Sequence, residues 1–85
     1  MEKVIKLKLN KEVEADNIAH FVQIANQFVS KVYLDVDDVC RVNAKSIMGM
    51  MNLPWRDGLN ITIQAEGSDE EKAVETIAAF LTGNW

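Results

Sequence analysis

His20 and Cys40 are the only imidazole and the only thiol in this chain of 85 residues. Chemistry that needs a base, a thiolate or a metal therefore has few places to start. A catalytic histidine needs a partner that orients it or takes its proton. The carboxylate near His20 at helical spacing is Asp16, four residues back, and such (i, i+4) pairs usually stabilise a helix. His20 reads as a residue at the border of core and surface. One His, one Cys and scattered carboxylates show no ligand spacing, so no metal is expected. The four glycines, Gly49, Gly58, Gly67 and Gly83, are too dispersed for a phosphate-cradling loop. With no cofactor motif either, the residues point away from an enzyme.

A more informative stretch runs from Asn43 to Leu53. Ser46 stands where a helix N-cap belongs, and two roles fit it. It can simply cap, or it can be a phosphorylation site, because a helix N-terminus tolerates added negative charge. Ile47, Met48, Met50 and Met51 follow, and four apolar residues of one short helix cannot all face inward. Those left outside make a flexible apolar surface suited to a protein partner. Trp55, after Pro54, is either core or an aromatic anchor at an interface.

The elements that must position these groups follow from periodicity. Residues 3–9 alternate, with Ile5, Leu7 and Leu9 on one side and Lys6 and Lys8 on the other, which predicts a half-exposed strand. Over 16–30, Ile18, Phe21, Val22, Ala25, Phe28 and Val29 form one helical stripe, with Asp16 and Asn17 near its start. Residues 31–36 and 39–42 predict a hairpin turning at Asp37-Asp38. Residues 46–53 predict a short helix ended by Pro54. Leu59, Ile61, Ile63 and Ala65 alternate as a strand. Ser68-Asp69-Glu70-Glu71 then has capping-box spacing before a helix that buries Ala73, Val74, Ile77, Ala78 and Leu81 and stops near Gly83. The order βαββαβα predicts an α+β fold with helices on one face of an antiparallel sheet, formed by residues 1–85 as one domain.

Composition agrees. Nine basic and thirteen acidic side chains give a net charge of −4, without the basic stripe of a nucleic-acid binder. No apolar run is long enough to span a membrane, and the first residues do not resemble a secretory signal. A single cysteine makes no internal disulfide, which fits a cytoplasmic compartment.

The segment Val42-Asn43-Ala44-Lys45-Ser46-Ile47-Met48-Gly49-Met50-Met51 closely resembles the regulatory-serine motif of the HPr family, the histidine-containing phosphocarriers of the sugar phosphotransferase system. Phe21-Val22-Gln23 and the run from Thr62 to Glu70 resemble the family's first helix and last strand-to-helix junction. The resemblance covers essentially the whole chain. It implies an open-faced β-sandwich, with four antiparallel strands covered on one face by three helices.

The departure lies at the start of the first helix, where the family has Gly-x-His-Ala-Arg-Pro. Counting back from Phe21, Glu14 takes the phosphohistidine position, Ala15 keeps the alanine, Asp16 replaces the arginine and Asn17 the proline. One extra residue in the 35–40 hairpin restores the register, so that the regulatory serine falls on Ser46. Two carboxylates a few ångströms from an incoming phosphoryl group would repel it by about 1–4 kcal/mol, and the arginine clamp is gone. The resemblance therefore implies lost phosphocarrier activity and a regulatory phosphoprotein modified at Ser46. In logic this is similar to the catabolite-repression HPr-like proteins. The implied partners are an HPr kinase/phosphorylase-type enzyme and a transcriptional regulator or phosphotransferase-system protein. They would bind through Ala15, Asp16, Ala19, Gln23, Ile47, Met48, Met51 and Trp55. The alternatives are a phosphocarrier with an atypical acceptor, and an interaction module drifted from sugar metabolism.

Overall fold

The computed structural model describes residues 1–9, 15–37, 40–53 and 55–83, and for Ala15 the backbone alone. The elements are β1 (Glu2–Lys6), α1 (Ala15–Ala25), β2 (Lys31–Val36), β3 (Cys40–Asn43), α2 (Ile47–Met51), β4 (Asn60–Glu66) and α3 (Glu70–Leu81). The four strands form one sheet in the order β1-β4-β2-β3, and every neighbouring pair is antiparallel.

Strand alternation decides the two faces. Val32, Leu34 and Val36 of β2 and Ile61, Ile63 and Ala65 of β4 are buried and meet the helices, while the residues between them face away. Helix α1 contributes Ile18, Phe21, Val22 and Ala25 to the core, and α3 contributes Ala73, Val74, Ile77, Ala78 and Leu81. Phe21 is fully buried and meets Phe80 of α3 edge-on at 5.9 Å between ring centroids.

On the uncovered face, Arg41 Nε donates to Asp35 Oδ1 at 2.8 Å and Arg41 Nη2 to Gln64 Oε1 at 2.8 Å. Gln64 Nε2 in turn donates to Asp35 Oδ2 and Glu2 Oε1. One polar network thus touches all four strands. Its outer members, Arg41 and Glu2, are exposed, so their contribution to stability is small.

Several boundaries differ from expectation. Helix α1 ends at Ala25, not near residue 30. Its last turn tightens, with Gln27 N donating to Ile24 O and Phe28 N to Ala25 O, while Asn26 Nδ2 takes the carbonyl of Val22 at 2.9 Å. Phe28 still packs against the core, but Val29, placed in the stripe by periodicity, is exposed. Residues 7–9 continue past the β1 ladder, tied by Leu7 N to Leu59 O and Lys8 N to Leu81 O. Strand β3 runs one residue further than expected, to Asn43.

The capping box at Ser68 does not form. Asp69 is the N-cap of α3, and its side chain makes no capping bond. The Asp69 carboxylate is used across the fold, accepting from Val29 N at 3.0 Å, Ser30 N at 3.0 Å and the Ser30 hydroxyl. Glycine is required beside this clamp, because a Cβ on Gly67 would lie 2.6 Å from Ser30 Cα. The Ser30 hydroxyl, with help from the two backbone N–H groups, holds the Asp69 carboxyl below its ordinary pKa. A carboxyl depressed on folding stabilises the protein above its unfolded pKa and loses that effect as pH falls through the folded value. The melting temperature should therefore decline with acid below about pH 4. Asp69→Asn should lower the melting temperature near neutrality and flatten that decline. Equal acid sensitivity in both proteins by circular dichroism would remove Asp69 from the account.

Candidate functional site

Ser46 leads into α2 in extended backbone, φ −107° and ψ 117°, and its Oγ accepts from Gly49 N at 3.2 Å. Its own carbonyl takes the first helical bond, from Met50 N at 3.0 Å. This is N-cap geometry: the side chain satisfies one of the helix's unpaired donors. Ser46 is half-buried. Among the described residues, no imidazole or carboxylate hydrogen-bonds Ser46 Oγ.

The loop that presents Ser46 is tied to the end of α1. Lys45 Nζ donates to Phe28 O at 2.7 Å, and Asn26 Nδ2 reaches Lys45 O at 3.3 Å. Asn43 Oδ1 accepts from Lys45 N at 2.9 Å. A cation on carbonyls just beyond a helix C-terminus also suits the helix dipole. Sequence reasoning passed over Asn26 and Lys45 as positioning residues. They are 19 positions apart, and no local spacing rule joins them.

Helix α2 divides its apolar residues. Met50 is fully buried, while Ile47, Met48 and Met51 are 48%, 78% and 53% exposed. Met48 and Met51 are three apart and Ile47 and Met51 four apart, so the three share one outward side. Trp55 is half-buried against the core, and its Nε1 donates to Met50 O at 2.9 Å. The indole thus fastens the far end of α2 with its polar tip already engaged.

Helix α1 packs beside α2. Asp16 and Gln23 are exposed and Ala19 half-buried, and their spacing puts them along one side of α1. His20 is exposed, with its ring 5.6 Å from that of Phe80. Ala15 is the first residue of α1. Glu14 and Pro54 lie outside the described residues. Among the described residues, no three His, Cys, Asp or Glu side chains are grouped so as to hold a metal ion, and no helix is long and apolar enough to cross a membrane.

Comparison with known proteins gives a consistent picture. The family model described as "PTS HPr component phosphorylation site" matches residues 1–83. The chain is 43% identical to the HPr-like protein Crh of Halalkalibacterium halodurans over 81 residues, 95% of each protein. It is 38% identical to the phosphocarrier protein HPr of Neisseria meningitidis, over 89% of this chain and 82% of that one. Among solved structures, the phosphocarrier protein HPr of Bacillus anthracis superposes with a TM-score of 0.86 at 42% identity, covering 95% of both chains.

Proposed function

From the premise that the chain belongs to the HPr family of the phosphotransferase system, we propose that it is a non-catalytic regulatory member whose switch is phosphorylation of Ser46. The observation that carries this reading is the geometry of α2: a half-buried serine caps a helix whose next exposed side chains are apolar. The bond to Ser46 Oγ comes from a backbone N–H, and among the described residues no base is hydrogen-bonded to the hydroxyl. That suits a group modified by another protein's active site. Gly49 helps, because its missing side chain leaves open the space where a Cβ would sit 3.5 Å from Ser46 Oγ. A phosphate there adds about two negative charges next to Ile47, Met48 and Met51. An apolar docking face then becomes one rimmed by charge. The docking partners are an HPr kinase/phosphorylase-type enzyme and a regulator or phosphotransferase-system protein, with Asp16, Ala19 and Gln23 as the flanking contact on α1. The name of the Crh relative, an HPr-like protein, supports a role beside the carriers.

The deciding experiment is incubation with such a kinase and ATP, with an authentic HPr in parallel. Phosphate on Ser46, located by mass spectrometry, is the expected result. No uptake while the HPr control is modified ends the proposal. Docking has its own test. Met48→Asp places a charge in the apolar face and should slow phosphorylation at least tenfold, about 1.4 kcal/mol of lost binding, with the melting temperature unchanged. An unaltered rate would move the docking surface elsewhere.

A second reading is favoured by the relatives named phosphocarriers: a carrier that accepts phosphate at an unusual group. It requires label from phosphoenolpyruvate to reach the protein through enzyme I. Our reading requires that it does not, because Glu14 stands at the acceptor position and Asp16 at that of the arginine clamp.

A further inference from the structure

We propose that Met48 and Met51 are an oxidation site, at which hydroperoxides turn the apolar face of α2 polar and so close it to docking. The consequence for docking rests on the function proposed above; the modification itself does not.

The four methionines of this chain occupy very different surroundings. Met48 is 78% and Met51 53% exposed, whereas Met50, between them in sequence, is fully buried. Oxidation requires an oxidant molecule to reach the sulfur, so its rate follows exposure. In the reaction, a lone pair on the thioether sulfur attacks a peroxide oxygen. The S–O bond forms as the O–O bond breaks. Sulfur is oxidised by two electrons, and the peroxide leaves as water or the corresponding alcohol. The product is a chiral sulfoxide whose oxygen is a strong hydrogen-bond acceptor.

Location gives this ordinary reaction its effect. The exposed face consists of Ile47, Met48 and Met51, so two of its three side chains are thioethers. An apolar partner closing over sulfoxides must desolvate acceptors for which it has no donor, a cost that burial of apolar surface does not recover. The fold is insulated from the change. Helix α2 is held by buried Met50, by the Ser46 cap and by the Trp55 Nε1 bond to Met50 O, and neither exposed sulfur takes part. Met1, 50% exposed at the head of β1, also reacts, but lies outside this face. Cys40 is an exposed competing thiol.

The test uses the full chain carrying Cys40→Ser, treated with hydrogen peroxide at neutral pH and digested for peptide mass mapping over time. Met48 and Met51 should convert roughly tenfold or more faster than Met50, with the melting temperature of the product preserved. On a phenyl matrix the oxidised protein should elute earlier, and methionine sulfoxide reductases should restore its retention. Kinase-catalysed phosphorylation of the oxidised protein should be slowed at least tenfold. A Met48→Leu/Met51→Leu variant, compared with itself before treatment, should lose neither retention nor rate. Equal oxidation of all three residues, or resistance of Met48 and Met51, overturns the site. Unchanged retention overturns the polarity switch. Phosphorylation at the original rate overturns the effect on docking. If the untreated protein takes no phosphate at all, the regulatory function fails, and mapping and retention still decide the oxidation site.

Discussion

Ser46→Ala is expected to take up no phosphate from an HPr kinase/phosphorylase-type enzyme under conditions in which the proposed function has the parent modified. Two effects meet in this substitution, and their sizes separate them. The first is the loss of the acceptor hydroxyl, which is total. The second is the loss of the N-cap bond from Gly49 N to Ser46 Oγ, which costs about 1 kcal/mol. For a domain of this size that lowers the melting temperature by roughly 4–8 °C. The variant therefore stays folded at ordinary temperatures, and its failure to accept phosphate reports on Ser46 itself. Ser46→Asp is the companion variant. Aspartate is a good N-cap, so the melting temperature should stay near that of the parent, and the kinase should find nothing to modify. Phosphate retained by the alanine variant, mapped to any other residue, would displace Ser46 as the switch.

Phe21→Ala has the largest expected effect on stability. Phe21 is fully buried, lies among residues of the main core cluster and meets Phe80 edge-on. Truncating a buried phenylalanine costs about 3–5 kcal/mol through lost transfer energy and the cavity left behind. Domains have about 0.05–0.15 kcal/mol of stability per residue, so this loss is a large part of the whole. A fall in melting temperature of roughly 15–30 °C is expected by calorimetry or circular dichroism. Met48→Ala is the contrasting control: also a large apolar residue, but 78% exposed, it should change stability by no more than about 0.5 kcal/mol. Similar costs for both would mean that Phe21 is not the centre of the core.

Strong periodicity made most of the architecture legible. The alternation over residues 59–65 fixed both the strand and its buried face, because one face is core and a register slip would invert every side chain. The stripe from Ile18 to Ala25 was equally plain. It misled at Val29, where the 3.6-residue period continued in the sequence after the helix had ended. Periodicity records which residues are apolar, and the chain there is instead set by Asn26 folding back on the Val22 carbonyl and by Lys45 and Asp69 bonding to the backbone of residues 28 to 30. The same distant bonds explain the failed capping box. Ser68-x-x-Glu71 has the right local spacing, but Asp69 makes a three-donor clamp to Val29 and Ser30, forty residues away in sequence. Local rules carry no information about such contacts. In the candidate site, Ser46 was readable as a cap because capping is local. Which of the following apolar residues face outward was not, since that depends on how α2 lies on the core and on where Trp55 anchors it.

Sheet order also has a consequence for how the chain emerges from the ribosome. β4, made after the other three strands, sits between β1 and β2. Until residues 60–66 have been synthesised, β1 has no strand to pair with, and β2 can form only its hairpin with β3. The pairings that close the sheet are all long-range, and such contacts are slow to form. A chain that stops short of β4 thus leaves β1 without its ladder, and an isolated hairpin of β2 and β3 is at best marginally stable. A chain of this size is expected to complete the sheet in one cooperative step once β4 is present.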